Sequence, residues 1–284
     1  MVYLLIQACH TEQGPDSDRI VSQFPSSNIL LICLGISQGS RHQDPANAWS
    51  HFWEANPYAK GVKILDCGDI PTTRWHKKAP KLRTTLFSID QLQVHGPISL
   101  IQIDSHIDTW SSGKKYGFSD KHDTAPVSHG NMLWHASEEN LLTSRSIQAG
   151  IRTRFTKERD ITDNKEFGIK MITIDAIDEI GAKGIADQIR KRVGNTAAYL
   201  TIDIDSVDPA FAGATGTPEP GGLTTREAKT ILRNLKGLNF VGADIVEVIH
   251  HMTLEMVAAD VAHEILQLLT TSPIMESSVI HDEL

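Results

Sequence analysis

The chain has 284 residues, of which 40% are hydrophobic and 22% are charged, and its formal net charge is −8 at pH 7. This composition is typical of a globular protein with a full core, and the acidic balance argues against nucleic acid as a partner. No apolar run approaches the roughly 18 residues of a membrane-spanning helix, so we expect no membrane insertion.

The two ends of the chain carry different localisation signals. The opening stretch MVYLLIQACH is a weak secretory signal peptide, because it has no basic start and only a short apolar stretch. The last four residues are HDEL, a retention signal for proteins of the endoplasmic reticulum lumen. We therefore expect a location in the endoplasmic reticulum lumen, with the cytoplasm as the alternative.

Seven apolar, β-rich runs follow one another along the chain, at residues 28–35, 61–66, 98–104, 146–151, 169–175, 197–203 and 239–248. Helical patterns lie between them, and one of these begins with a capping-box pattern from Thr224 to Glu227. Continuous hydrophobic strands separated by helices predict an α/β fold with a mostly parallel sheet covered on both faces. We expect a single domain over residues 28–272, preceded by a segment 1–27 and followed by a tail 273–284.

Two of the predicted strands lead into acidic residues at their carboxyl ends. The candidate metal ligands there are Asp104, His106, Asp108, Asp203 and Asp205. If the first strand stays extended, residues 104, 106 and 108 face the same side. Carboxylate and imidazole ligands suit Mn²⁺, Fe²⁺ or Zn²⁺, and two acidic strand ends could hold two ions. The alternative is a polar loop with helix-capping carboxylates.

Four segments carry a family resemblance: IDSHID at 103–108, SHGNM at 128–132, IDIDSVDPAFAGATGTPEPGGLT at 202–224 and GADIVEV at 242–248. Together they resemble the ureohydrolases, the family of arginase and agmatinase. The longer stretches SHGNMLW and AGIRTRF favour the agmatinase branch. The resemblance implies a three-layer α/β/α domain, two Mn²⁺ ions, and a homotrimer or homohexamer.

The resemblance also implies how the metal ions are held. Asp104 and Asp203 would bridge the two ions, His106 and Asp205 would bind one of them, and Asp108 would bind the other. A hydroxide that bridges the ions would attack the planar carbon of a guanidinium group.

The substrate implied by the resemblance is a small cationic guanidino compound, and agmatine, which would yield urea and putrescine, is the first choice. Glu247 would anchor the guanidinium group, and Asp108 could orient the hydroxide. His129 would shuttle a proton to the departing amine, and Thr217 would contact the substrate. Guanidinobutyrate, guanidinopropionate and formimino compounds stay open as alternatives.

The chain departs from the family at one metal ligand. The family's Gly-Asp-His segment, whose histidine binds the same ion as Asp108, has no counterpart here. The stretch from residue 70 to Asp104 is also shorter than in an agmatinase by roughly two dozen residues, about one helix and one strand. These departures predict a weak or absent second ion. His76 is a substitute ligand candidate, although its basic surroundings favour a solvated loop. They also leave open a different function, that of a catalytically impaired metal-binding homologue acting as a structural or regulatory partner.

Overall fold

The computed structural model describes residues 2–8, 29–34, 49–57, 63–66, 96–110, 129–155, 158–248 and 252–273. The strands in these ranges are β1 (Val2–Ala8), β2 (Ile29–Leu34), β3 (Lys63–Asp66), β4 (Ser99–Ile103), β5 (Ile147–Ile151), β6 (Lys170–Thr173), β7 (Ala198–Asp203) and β8 (Phe240–Val248). The helices are α1 (Met132–Glu138), α2 (Arg159–Glu166), α3 (Ala176–Val193), α4 (Thr225–Asn234) and α5 (Met252–Thr270), and a 3₁₀ turn (Ile204–Ser206) follows β7.

The strands form one sheet in the order β3-β2-β1-β8-β7-β4-β5-β6. Each neighbouring pair is parallel. All seven apolar runs that the sequence predicts as strands form strands, and helices cover both faces of the sheet. The predicted three-layer α/β/α fold with a parallel central sheet is therefore confirmed.

Strand β1 is the one that the sequence pattern did not predict. It lies within the segment 1–27 and pairs with β2 on one side and with β8 on the other. The sheet therefore extends into the N-terminal segment, ahead of the expected start of the domain at residue 28. The expected loss of a helix–strand unit and the candidate ligand His76 fall on residues 67–95, outside the described residues.

The two faces of the sheet carry different cores. On one face, residues such as Ile101, Leu200 and Ile245 pack against buried side chains of α3, α4 and α5. On the other face, a smaller cluster joins Leu100 and Tyr199 to helix α1. Burial of apolar area at about 25 cal/mol per Å² makes these two cores the main stabilising contribution to the three layers.

The second face becomes polar toward the carboxyl ends of its strands. Gln102 of β4, Thr201 of β7 and Asp244 of β8 lie side by side in register, and all three are buried. Buried polar groups require partners, and these side chains form hydrogen bonds within the same face. This polar region lies directly below the strand ends that carry the candidate metal ligands.

Helix α4 begins as its sequence pattern predicts. The hydroxyl of Thr224 accepts from the amide of Glu227 at 3.2 Å, and the Glu227 carboxylate accepts from the amide of Thr224 at 2.8 Å. The reciprocal pair satisfies two amides that the helix itself leaves unpaired. Among the described helices, none is both long and apolar enough to cross a membrane.

Candidate metal centre

The neighbouring strands β4 and β7 bring the two acidic segments together. Ile103, the last residue of β4, pairs with Ile202 of β7 in parallel register. The next residues of both strands therefore emerge at the same edge of the sheet, where functional groups of parallel α/β sheets gather. Asp104 follows β4 directly, and Asp205 lies in the 3₁₀ turn after β7.

Three side chains converge at this edge. Asp104, His106 and Asp205 each present an oxygen or nitrogen atom, and these atoms lie within 4.8 Å of one another. The Nδ1 atom of His106 is 3.0 Å from Asp205 Oδ2 and 3.6 Å from Asp104 Oδ1. The hydroxyl of Ser105 donates to Asp205 Oδ1 at 2.7 Å and holds that carboxylate in place. The donor set of oxygen and nitrogen atoms fits a divalent cation such as Mn²⁺.

The convergence does not arise from strand geometry, and the expectation that residues 104–108 stay extended is wrong. Strand β4 ends at Ile103, and residues 104–110 have no regular secondary structure. The Asp104 carboxylate accepts from the amide of His106 at 2.7 Å, a local bond that competes with strand pairing. Asp108 then adopts a left-handed backbone conformation with φ 49°. A tight turn, not alternation, therefore places these side chains.

The carboxylates of this edge raise the proton affinity of their neighbours. Burial raises the pKa of Asp104 to about 6, and burial together with the charge of Asp104 raises the pKa of Asp108 and Asp203 well above their usual range. Burial also acts against the Asp205 carboxylate, but hydrogen bonds from His106 and Ser105 lower its pKa. Burial disfavours the charged form of His106, yet hydrogen bonds with Asp104 and Asp205 raise its pKa to about 10. Such concentrated negative charge is the electrostatic environment that a divalent cation stabilises.

Asp108 and Asp203 are the other two expected ligands, and both are buried beside the three converging side chains. The charges of Asp104 and Asp205 contribute to the raised pKa of each. One oxygen of Asp203 accepts from the amide of Asp205 at 2.9 Å, so Asp203 also caps the 3₁₀ turn. The bridging role of Asp203 and the binding of a second ion by Asp108 stay predictions.

A β-bulge near the end of β8 places Glu247. Ile6 of β1 pairs with Ile245, but Ala8 pairs with Val248, so β8 has one extra residue at this point. Glu247 occupies the bulge with φ 59° and is half-buried. A Cβ atom added to Gly216 would lie only 3.1 Å from Glu247 Oε2, so the carboxylate contacts the loop that follows the 3₁₀ turn.

That loop also carries Thr217, whose hydroxyl donates to Asp205 Oδ2 at 3.3 Å. The loop therefore connects the expected substrate contacts Glu247 and Thr217 to the candidate metal ligand Asp205.

His129 is exposed in the turn before α1. This turn packs on the segment after β4, because the amide of Trp110 donates to the carbonyl of Gly130 at 3.1 Å and the amide of Leu133 donates to the carbonyl of Asp108 at 3.2 Å. The structure thus brings the turn of His129 beside the Asp108 backbone.

The guanidinium group of Arg152 forms hydrogen bonds with the loop that carries Asp205. The sequence patterns did not identify Arg152 as a site residue. Its Nη2 atom donates to the carbonyls of Asp205 and Glu219, each at 2.6 Å, and its Nη1 atom donates to the carbonyl of Ser206 at 3.2 Å. The sequence offers little signal for this role, because an arginine directly after a strand end more often lies on the surface.

Asp208 holds the same loop by accepting hydrogen bonds from the backbone amides of the loop. One of its oxygens accepts from the amides of Gly221 at 2.7 Å and Gly222 at 2.9 Å, and the other accepts from the amide of Ala210 at 2.9 Å. Asp208 therefore shapes the turn rather than joining the three converging side chains. A Cβ atom at Gly222 would lie 2.6 Å from Arg152 Nη2, so glycine permits the close approach of the guanidinium group.

Comparison with known proteins connects this geometry to a family. The sequence model of the arginase family matches residues 82–269. The agmatinase of Proteus mirabilis is 41% identical over 263 residues, which cover 82% of this chain and 80% of the relative. Among solved structures, the proclavaminate amidino hydrolase from Streptomyces clavuligerus is 27% identical with a TM-score of 0.62, over 76% of this chain and 79% of that one.

The formimidoylglutamase from Bacillus subtilis has a TM-score of 0.67 over 96% of this chain and 88% of its own, and at 20% identity it supports the fold.

The family match spans the acidic strand ends, the turn of His129, the loop of Thr217 and the bulge of Glu247. The chain therefore belongs to the arginase family of ureohydrolases, in its agmatinase-like part.

Proposed function

We propose that this chain hydrolyses a guanidino compound, with agmatine as the substrate and urea and putrescine as the products, and that it does so with Mn²⁺. The observation that carries the proposal is the convergence of Asp104, His106 and Asp205 within 4.8 Å, next to the loop that contacts Glu247. The likeness to an agmatinase over four fifths of both chains supports the choice of agmatine.

The residues present fit manganese. Asp104, His106 and Asp205 would hold one ion, and Asp203 and Asp108 would hold a second. Ions held there would lower the pKa of bound water and so supply a nucleophile at neutral pH. Because the sequence lacks the family's Gly-Asp-His segment, we expect the second ion to bind weakly or not at all.

The protein's own side chains orient and protonate the substrate. Glu247 supplies a carboxylate that pairs with the guanidinium group, and its bulge directs that carboxylate toward the loop beside Asp205. Water adds to the guanidinium carbon, the bond from this carbon to the alkyl nitrogen breaks, and that nitrogen leaves as an amine. His129 is suited to deliver the proton that the amine needs, because its turn is exposed and packs beside Asp108.

Metal analysis coupled to urea release from agmatine tests the proposal. We expect the purified chain, loaded with excess Mn²⁺ and then dialysed, to retain at least one ion and to release urea and putrescine in equal amounts. Retention of manganese without urea from agmatine, guanidinobutyrate or guanidinopropionate would overturn guanidino hydrolysis. If formimino compounds are not hydrolysed either, the alternative of a non-catalytic metal-binding partner is favoured. Urea release from guanidinobutyrate alone would contradict agmatine as the substrate. It would leave the hydrolysis of a guanidino group as the reaction.

A further inference from the structure

Three buried amide side chains connect the metal centre to helix α2. They belong to Gln102 of β4, Gln148 of β5 and Asn164 of α2, and we refer to them as the amide relay. Their exposed fractions are 1%, 0% and 1%. A polar group at such depth costs stability unless it is paired, so the hydrogen bonds of the relay are the reason that these side chains can be buried.

The relay ends at a metal ligand. The Nε2 atom of Gln102 donates to Asp104 Oδ2 at 2.5 Å, while the other oxygen of Asp104 accepts from the amide of His106 at 2.7 Å. Both oxygens of Asp104 therefore have a donor from the protein, which sets the plane of the carboxylate. A carboxylate oriented in this way presents its remaining lone pairs in one direction.

Each amide of the relay is oriented by the next. The Nε2 atom of Gln148 donates to Gln102 Oε1 at 2.7 Å, and Gln148 Oε1 accepts from Asn164 Nδ2 at 2.5 Å. Asn164 Oδ1 then accepts from the hydroxyl of Thr109 at 2.7 Å. All donors along the relay point toward Asp104.

One backbone carbonyl fixes this polarity. The Nε2 atom of Gln148 also donates to the carbonyl oxygen of Ile107 at 2.6 Å. A carbonyl can only accept, so the nitrogen of Gln148 must face Ile107 and its oxygen must face Asn164. Gln102 must then turn its oxygen to Gln148 and its nitrogen to Asp104. The relay has one consistent arrangement, and a flip of any amide would leave two acceptors facing each other.

The relay also holds the backbone on both sides of Asp108. Gln148 binds the carbonyl of Ile107, and Asn164 binds the side chain of Thr109. Asp108 lies between these two attachments with a backbone φ of 49°, a conformation that non-glycine residues adopt only when the surroundings enforce it.

We propose that the amide relay is a positioning device for the metal centre, with Gln148 as its central residue. It acts by orienting the Asp104 carboxylate through Gln102 and by holding the turn that carries His106 and Asp108. The inference rests on the proposed function only in taking Asp104 as a manganese ligand, and it does not depend on which guanidino compound is hydrolysed.

The test is the variant Gln148→Glu, which keeps the shape of the side chain and replaces two donors by acceptors. The carboxylate would repel the carbonyl of Ile107 and the oxygen of Gln102, and Gln102 would then flip its oxygen toward Asp104. We expect Mn²⁺ affinity, measured by titration calorimetry on metal-free protein, to fall by about 10- to 100-fold, the usual effect of removing a hydrogen-bond partner of a metal ligand.

The matched control is Gln267→Glu in helix α5. Gln267 is also fully buried, and it donates to the backbone carbonyl of Ala55 at 3.1 Å. The two variants bury the same new carboxylate, so a comparable loss of thermal stability in the metal-free proteins is expected. Only Gln148→Glu should weaken manganese binding. Equal manganese affinity of the two folded variants would overturn the inference.

The milder variant Asn164→Asp tests the relay if Gln148→Glu does not fold. It removes only the donor to Gln148 Oε1 and keeps the acceptor for Thr109, and a threefold or larger loss of Mn²⁺ affinity, roughly the lower range for coupled neighbours, is expected. Unchanged affinity in Asn164→Asp would then refute the relay.

The outcome for the relay is separate from the outcome for the enzyme. A wild-type chain that binds Mn²⁺ but releases no urea refutes the proposed function, while the affinities of the variants still decide the relay. A wild-type chain that releases urea, with no change of affinity in any relay variant, refutes the relay and leaves the function in place.

Discussion

Asp108, in the segment after β4, and Glu247, near the end of β8, both adopt the left-handed backbone conformation, with φ of 49° and 59°. This conformation costs a residue with a side chain about 1–2 kcal/mol, so it persists only where other contacts enforce it. For Asp108 these contacts are the hydrogen bonds of Gln148 and Asn164 on either side of it and the bond from the Leu133 amide to its carbonyl. For Glu247 the contact is the bulge of β8. The two carboxylates also interact, because the charge of Glu247 adds to burial and to the charge of Asp104 in raising the pKa of Asp108. The two left-handed conformations therefore place two carboxylates that the proposed reaction uses.

The role of Glu247 predicts a specific defect in Glu247→Gln. Replacing the carboxylate by a neutral amide removes the charge that pairs with the guanidinium group, and we expect kcat/KM for agmatine to fall by about 100-fold or more. Mn²⁺ affinity should stay within about twofold of wild type, since Glu247 is not among the three converging side chains that could hold the ion. Steady-state urea release and titration calorimetry measure the two quantities. The exposed Glu179 of α3 provides the control Glu179→Gln, and equal activity of both variants would exclude Glu247 as the anchor.

Asp205 is expected to be required for the first ion. Its carboxylate lies 3.0 Å from His106 Nδ1, and Asp205→Asn removes one negative charge from the ligand group. We expect Mn²⁺ affinity to fall by at least about 100-fold, above the range known for partners outside the ligand set. Asp187→Asn, on the exposed face of α3, makes the same chemical change away from the centre and should bind as wild type does. Manganese binding that survives in Asp205→Asn would remove this residue from the ligand set.

Arg152 should affect stability and activity together. Arg152→Met removes the charged donors to the carbonyls of Asp205, Ser206 and Glu219, and we expect a loss of about 1–3 kcal/mol in the free energy of unfolding. The loop would then hold Asp205 less firmly, so kcat should fall even at saturating Mn²⁺. Urea denaturation and steady-state kinetics give both values.

The control for Arg152 is Arg190→Met. Arg190 also donates to backbone carbonyls, those of Asn234 and Lys236, but it lies on the exposed surface of α3. The variant Arg190→Met should therefore leave kcat unchanged. An Arg152→Met enzyme with wild-type kcat would show that the loop keeps its arrangement without the guanidinium group.

Asp244 predicts a pH-dependent difference in stability. Burial raises its pKa to about 7, although hydrogen bonds from Thr201 and Tyr199 favour the carboxylate. The unfolded chain releases this proton near pH 4, whereas the folded chain keeps it until about pH 7. The folded state therefore binds more protons in this range, and the contribution of Asp244 to stability is present below pH 4 and is lost as pH rises to 7.

The variant Asp244→Asn removes this titration. The unfolding free energy of Asp244→Asn relative to wild type should increase between pH 4 and pH 7 and level off above pH 7, which denaturation curves at several pH values would measure. A constant difference over the whole range would mean that Asp244 ionises alike in the folded and unfolded chain.

Some features of the fold and of the site could be predicted from local sequence patterns, and others could not. The strands that hold the site and the capping box from Thr224 to Glu227 follow from local patterns, since each depends on neighbours a few residues away. The extended conformation expected for residues 104–108 is not observed. The strand ends where the His106 amide donates to the Asp104 carboxylate.

By itself, the sequence determined the layered α/β fold, the acidic strand ends and the family, because hydrophobic periodicity and long motifs are written in consecutive residues. Only the tertiary structure decided which of the acidic side chains converge and what orients them. Gln102, Gln148 and Asn164 are far apart along the chain, and no pattern of residue types links them. They meet because β4 pairs with β5 in parallel register and α2 packs on the same face. Burial then leaves each amide a single arrangement of donors and acceptors that satisfies them all.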